Sequence, residues 1–443
     1  MRDQQKGPAG VSERLTLRMM SGKKFAIAID IGTTTIAASL VDRDSCERRA
    51  FLGKRNPQAA FGADVVARLQ AACGSVENLA TLRSSLNRTL EEMAEELLQM
   101  SGTSPEDLAG IALAGNPAME HFLLGLPVDS LAYPPFRPLF TEGKRLQSTS
   151  LGWKLDLNTY LFPLPGGFVG GDLVAFLHGC RKGENPPPSL ITPHTLYLDL
   201  GTNGEIALVT GNKIFATSAA AGPAFEGGNL ACGMPALPGA IERVAITAGR
   251  LSLATIGGQT PCGICGSGVI DTVSELLREG LIDSTGRLLP PEEIASNLGN
   301  RLTEIGGSSS FILYRDAATT VFLSQDDIRQ VQLAKAAIRA GMEILFQRAG
   351  ISGNDLTKVV LTGSFGAVLS AEGLKNVGIF PENMVKIASF IREGALAGVE
   401  RALCTPEGFA AADNLARQVR VVPLSGTPAF EKHFIEQMNF PKM

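Results

Sequence analysis

The chain has 443 residues, 44% hydrophobic and 19% charged, a globular balance long enough for two or three domains that fold without disulfide or metal. Forty basic residues against forty-four acidic leave a net charge of −4, which excludes a general nucleic-acid binder. One Trp and four Tyr are a poor supply of rings for stacking bases or sugars.

Residues 1–24 are polar and basic, lack the apolar core of a secretory signal, and read as a flexible tail. The longest apolar run, 25–41, carries Asp30 in its middle and is too short and too polar to span a bilayer. A soluble, cytoplasmic protein is expected. Within that run, Phe25–Asp30 is a short buried strand that ends in glycine and threonines. Leu82–Met100 has the pattern of an amphipathic helix, with Leu86, Leu90, Met93 and Leu97 on one stripe and Glu91, Glu92, Glu95 and Glu96 on the other. Ile111–Ala114 and Leu196–Leu200 read as further strands. Between them, Cys180–Pro193 with its three consecutive prolines is the predicted boundary between two lobes. Leu196–Val209 reads as strand, turn, strand. Asp326–Gly350 reads as a long helix, announced by Ser324 with Asp327 three residues on, a capping box. Val359–Leu361 is a strand leading into Thr362-Gly363-Ser364-Phe365-Gly366.

Glycine, at 49 residues, exceeds the usual ~7% and has no fixed period, so it points to tight turns and phosphate loops. Two such loops share one grammar. Asp30-Ile31-Gly32-Thr33-Thr34-Thr35 brings a carboxylate to a strand end, a glycine that lets the backbone close on an anion, and hydroxyl and N–H donors for phosphate oxygens. Asp199-Leu200-Gly201-Thr202-Asn203-Gly204-Glu205 repeats it about 170 residues later and adds Glu205. An Asp beside phosphates suits hydrated Mg2+. Two such hairpins across a cleft would clamp a triphosphate from both sides.

These motifs resemble the actin/Hsp70/sugar-kinase (ASKHA) superfamily of ATPases. The resemblance extends to Phe168–Ala175 as a first connecting helix, Leu361–Gly366 as the adenosine motif and Gly394–Gly398 as a second connecting helix. It implies an α/β, actin-like fold with two ribonuclease-H-like lobes around a nucleotide cleft, lobe I over 24–190 and lobe II over 191–443. Longer stretches, Ser218–Asn229, Gly263–Asp271 and Gln325–Ile338, are similar to the ATPase domain of reductive activators of corrinoid proteins. Those proteins use ATP to return an inactivated Co(II) corrinoid to Co(I) in methyl-transfer systems.

The resemblance implies ATP and Mg2+ as ligands. Asp30 and Asp199 would hold Mg2+ through water, and Gly32, Thr33, Thr34, Thr35, Gly201, Thr202 and Asn203 would meet the phosphates. Gly222, Glu226, Gly227, Gly363, Ser364 and Phe365 would border the ribose and adenine. Asp172 and Glu205 are the carboxylates suited to orient an attacking water. Implied partners are a corrinoid protein of a methyltransferase system and a low-potential electron donor such as a ferredoxin, with neither nucleic acid nor membrane, and a homodimer as oligomer. A small-molecule kinase would need a catalytic Asp deep in the cleft, for which Asp64 and Asp172 are the candidates. A nucleotide-gated regulatory binding protein is the third reading.

The seven cysteines (46, 73, 180, 232, 262, 265 and 404) are dispersed and odd in number, which predicts reduced thiols rather than a disulfide framework. No iron–sulfur spacing occurs among them, so the iron–sulfur module usual in corrinoid activators is not expected in this chain, and electrons would come from a separate carrier. Cys262-Gly-Ile-Cys265 is a lone pair without two further zinc ligands, and is expected to be a tight loop. His121, on a helix that Pro117 opens, is expected to pack in the core rather than touch a ligand.

Overall fold

The computed structural model describes residues 22–180, 194–363 and 369–443. They form two units, Met1–Asn185 with Gly394–Val419, and Pro186–Glu393 with Arg420–Met443. Each is built on a six-stranded sheet.

The first sheet runs β3-β2-β1-β4-β6-β5, from β1 (Phe25–Ile31), β2 (Thr35–Asp42), β3 (Arg48–Arg55), β4 (Leu108–Gly115), β5 (Lys144–Gln147) and β6 (Asn158–Leu161). β1 to β3 form an antiparallel meander, and β4 lies parallel to β1 and to β6. All eight residues of β4 are buried, as a central parallel strand covered on both faces requires. In the second unit β7 (His194–Leu200), β8 (Gly204–Thr210) and β9 (Lys213–Ala219) repeat the meander. There β16 (Leu356–Thr362) takes the place of β4, parallel to β7, and β17 (Ala388–Phe390) lies parallel to β16. The short strand β18 (Val419–Val421) pairs beyond β9. The repeated Asp-x-Gly-Thr turn thus follows β1 in one sheet and β7 in the other.

Two small sheets of the second unit carry no strong sequence signal. One is β10 (Ala240–Thr247), β11 (Arg250–Thr255) and β12 (Gly263–Ile264); the other is β13 (Leu302–Ile305), β14 (Ser308–Arg315) and β15 (Thr320–Ser324). β11 alternates between exposed and half-buried residues, so it lacks the buried stripe that marks a strand in sequence.

The described helices of eight residues or more are α1 (Val65–Gly74), α2 (Val76–Ser101), α3 (Pro117–Leu124), α4 (Gly171–Cys180), α5 (Gly266–Arg278), α6 (Gln325–Ala349), α7 (Gly394–Cys404), α8 (Gly408–Gln418) and α9 (Pro428–Glu436). α2 buries the predicted leucine stripe. It begins earlier than the stripe because the Ser75 side chain accepts the Glu77 and Asn78 N–H groups. α6 opens with the predicted capping box, Ser324 and Asp327 each accepting the other's backbone N–H. No described helix is long and apolar enough to cross a membrane.

Gly394–Val419, expected from sequence in lobe II, belongs to the first unit. The reason is the contact between α7 and α4. A Cβ on Gly179 would stand 3.0 Å from the Gly398 Cα, and one on Gly398 would strike the Ala175 carbonyl oxygen. Only glycine lets these backbones approach so closely.

The expectation of reduced thiols throughout needs one correction. Cys46, after β2, and Cys404, the last residue of α7, form a disulfide with Cα atoms 5.8 Å apart and a sequence separation of 358. Spacing along the chain could not show it, because the pairing depends on α7 returning to the first sheet. Cys73, Cys180, Cys232, Cys262 and Cys265 keep their thiols.

Candidate nucleotide-binding residues and the family of the chain

In the first unit the predicted residues gather where β1 and β4 end. Asp30 is half-buried on β1 and pairs in register with Ala114. Gly32 turns so tightly that a Cβ would collide with the Thr35 carbonyl oxygen. Asn56 holds this turn: its Nδ2 donates to the Gly32 carbonyl at 2.9 Å and its backbone N–H to that of Thr34 at 2.9 Å. Thr35 opens β2. Thr33 is buried, and its hydroxyl oxygen accepts from Asn116 Nδ2 at 3.0 Å. Asn116 also caps α3, accepting the Ala118 and Met119 N–H groups at 3.1 Å each. One side chain therefore ties the Gly32–Thr35 turn to the end of the parallel strand.

Asp172, the second residue of α4, reaches the same place. A Cβ on Gly170 would stand 2.5 Å from both the Asn116 Cα and the Gly115 oxygen, and 2.7 Å from Asp172 Oδ1. Burial pushes the Asp172 carboxyl up to about 6. Such a group changes its protonation near neutral pH, where acid–base work is most effective.

In the second unit Asp199 stands on β7 directly opposite Glu205 on β8 and beside Thr362 on β16. The Glu205 Oε1 accepts from Ser218 Oγ at 3.3 Å. In the turn, the Gly201 N–H donates to the Asn203 oxygen at 3.1 Å, and the Thr202 hydroxyl donates to Glu226 Oε2. Gly222 and Gly227 flank the 3-10 turn Pro223–Glu226 with φ of +75° and +77°, the left-handed region that favours glycine. A Cβ at Gly227 would also stand 2.5 Å from the Met234 oxygen. Gly363 follows β16, next to Thr362. Ser364, Phe365 and Gly366 lie outside the described residues, so the adenosine motif is described only to Gly363.

Four further residues singled out in the sequence, Asp64, His121, Cys262 and Cys265, have the following surroundings. Asp64 caps α1, accepting the Ala67 N–H at 2.8 Å. His121 is fully buried, with Nδ1 2.7 Å from the Pro117 oxygen, Nε2 accepting the Leu139 N–H at 3.0 Å, and its ring stacked on Phe140. Cys262 is exposed with its sulfur 3.7 Å from Met234 Sδ, while Cys265 is buried and donates to the Ile241 oxygen at 3.3 Å. Among the described residues no group of three or more His, Cys, Asp and Glu side chains is placed to hold a metal ion.

Sequence reasoning misses Asn56 and gives Asn116 and Glu120 no role. Asn before Pro117 is the available signal for a cap, whereas nothing in the spacing shows that its amide reaches Thr33.

The chain matches two families in succession: the RACo middle region over residues 25–181, and the C-terminal domain of RACo, the ASKHA domain, over residues 193–443. It is 31% identical over 424 residues to the corrinoid activation enzyme RamQ of Eubacterium limosum, covering 94% of this chain and 70% of that one. It is 24% identical over 400 residues to the Co(II) methylated amine-specific corrinoid protein reductase of Methanosarcina barkeri, covering 83% of this chain and 67% of that one. The solved reductive activator for corrinoid, iron–sulfur protein superposes with a TM-score of 0.85 at 29% identity, covering 95% of this chain and 67% of that one. The fold is the actin-like ASKHA fold, and the chain belongs to the RACo family, homologous to the reductive activators of corrinoid proteins.

Proposed function

We propose that this chain is an ATPase that binds an oxidised Co(II) corrinoid protein and promotes its reduction to Co(I) for methyl transfer, with electrons from a separate low-potential donor such as a ferredoxin. The observation that carries this reading is the same Asp-x-Gly-Thr turn after the first strand of each sheet, in a chain matched over nearly its whole length by a corrinoid activation enzyme.

The residues fit ATP with Mg2+. Neither turn contains Lys or Arg between positions 30 and 36 or 199 and 205, so neither supplies a cationic side chain of its own to the phosphates, a role that Mg2+ can fill. When bound, ATP supplies a phosphoanhydride whose hydrolysis is strongly favourable, and Mg2+ supplies the positive charge that its phosphates need. Asp30 of the first unit and Asp199 of the second are the carboxylates that would hold Mg2+. Gly32, Thr33, Thr34 and Thr35 in the first unit and Gly201, Thr202 and Asn203 in the second donate to phosphate oxygens. Gly222, Glu226, Gly227 and Gly363 would border the nucleoside, as would Ser364 and Phe365, which lie outside the described residues. Asp172 and Glu205 orient the attacking water, Asp172 being the better base because its protonation changes near neutral pH. ATP binding would select a conformer of the complex in which the bound corrinoid is easier to reduce. The shift is bounded by the difference in ATP affinity between the two conformers and by what hydrolysis adds.

The test is conversion of a methyltransferase corrinoid protein from Co(II) to Co(I), followed by visible absorption with a low-potential reductant. ATP is expected to raise the rate and extent of conversion, and the corrinoid protein to stimulate phosphate release. If ATP changes neither rate nor extent, and the corrinoid protein leaves hydrolysis unaltered, the proposal fails.

A further inference from the structure

Glu120 lies on α3 in the interior of the first unit, with no solvent exposure. Its Oε1 accepts the Gly115 N–H at 3.3 Å, and its Oε2 has no hydrogen-bond partner. A fully buried carboxylate with an unsatisfied oxygen is costly, and a proton removes the charge. Gly171, at the start of α4, is what lets the group sit there: a Cβ on it would stand 2.6 Å from Glu120 Oε1. A Cβ on the adjacent Gly170 would likewise stand 2.7 Å from Asp172 Oδ1 and 2.5 Å from the Gly115 oxygen, and Asp172 Oδ1 accepts the Leu173 N–H at 2.8 Å. Two carboxyls from different helices thus lie in the neighbourhood of Gly115, Glu120 bonded to its N–H and Asp172 close enough to act on Glu120 electrostatically, one residue before the Asn116 that holds Thr33.

We infer that Glu120 and Asp172 are an electrostatically coupled carboxyl pair in which Glu120 is a positioning residue, keeping its proton so that Asp172 is the carboxyl that ionises beside the Gly32–Thr35 turn. This rests on the reading of Asp172 as the residue that orients water. Around neutral pH the pair carries one O–H bond, on Glu120, and one negative charge, on Asp172. A proton leaving an attacking water passes to Asp172 and then to bulk solvent, while Glu120 stays neutral throughout. Burial first, and the Asp172 charge second, hold the Glu120 carboxyl well above its ordinary range.

The other groups around it are few. Lys144 of β5 acts on Glu120 with the opposite sign, and Glu120 acts in turn on the Tyr160 hydroxyl of β6. His121 is its neighbour on α3, and Arg68 of α1 bonds Met119 Sδ at 3.9 Å, one residue before it. β4 carries no titratable side chain, and Asp30 lies on β1 opposite Ala114. From α2, Arg83 approaches Gly125 at the far end of α3.

Infrared titration of the full chain without nucleotide tests the pair. The wild type should show the carbonyl stretch of a protonated carboxylic acid at neutral pH. Glu120→Gln should lose it, and Asp172→Asn should move its disappearance to lower pH. No such band in the wild type, its persistence in Glu120→Gln, or an unmoved titration in Asp172→Asn each overturns the inference. With ATP, Glu120→Gln should abolish the alkaline fall of the turnover profile that a second ionisation causes, and Glu120→Asp should restore it; equal alkaline limbs in the wild type and Glu120→Gln overturn the positioning role. A chain that shows the infrared signature but hydrolyses no ATP refutes the ATPase reading and leaves the pair standing.

Discussion

Asn116 Nδ2 donates to the Thr33 hydroxyl at 3.0 Å, across 83 positions of sequence, while the oxygen of the same amide caps α3. Fold stability and the geometry of the Gly32–Thr35 turn therefore meet in one side chain, and two substitutions separate them. Asn116→Ala removes both and should cost about 1–2 kcal/mol in denaturant unfolding. Asn116→Ser preserves the cap but is too short to reach Thr33. It should unfold close to the wild type yet bind ATP more weakly by calorimetry; equal affinity would show that the Thr33 contact is idle.

A second prediction concerns the contact between α4 and α7. Gly398→Ala places a methyl group against the Ala175 carbonyl, and overpacking of this kind costs about 1–3 kcal/mol or more. A methyl group on Gly53 of β3 would meet nothing within 4 Å, so Gly53→Ala should be neutral or slightly stabilising. Thermal unfolding of the two variants side by side checks the contrast.

Much of this was legible in sequence because each feature was local. A strand ending in Asp-x-Gly-Thr occurs twice, and each copy proved to follow the first strand of a similar sheet. The capping box at Ser324 is likewise complete within four residues. What escaped depends on distant segments meeting. Asn116 reaching Thr33, Asp172 acting on the buried Glu120, and the return of 394–419 to the first unit leave no periodicity, because the fold and not the spacing brings them together. The small sheets escaped for another reason: strands such as β11 lack a buried stripe.

Lys335 supplies a prediction with a definite sign. It lies on α6, nearly fully buried, with its ammonium donating to the Asn439 oxygen and over the Phe440 ring. Burial, with Arg339 adding repulsion, pushes it down from 10.5 to about 8. Between those values the unfolded chain binds more protons than the folded one, so this group makes stability rise with pH through that window. At about 1.4 kcal/mol per unit, the rise approaches about 3 kcal/mol. The stability difference between wild type and Lys335→Met, measured by urea unfolding from pH 7 to 11, should show this slope; a flat difference would place the ammonium in a solvated setting.

The Cys46–Cys404 bond predicts that reductant destabilises the protein. Native disulfides are worth about 2–5 kcal/mol, so the melting temperature should fall on reduction and in Cys404→Ser alike. Non-reducing peptide mapping should recover the crosslinked pair, while Cys73, Cys180, Cys232, Cys262 and Cys265 take up alkylating reagent once the chain is unfolded.

That bond also changes the topology of the polypeptide. The segment from Cys46 to Cys404 becomes a covalent ring, and it contains all of the second unit up to Glu393. A single proteolytic cut anywhere in the ring leaves one molecule with two new ends, which runs as two pieces on a gel only after the sulfur–sulfur bond is broken.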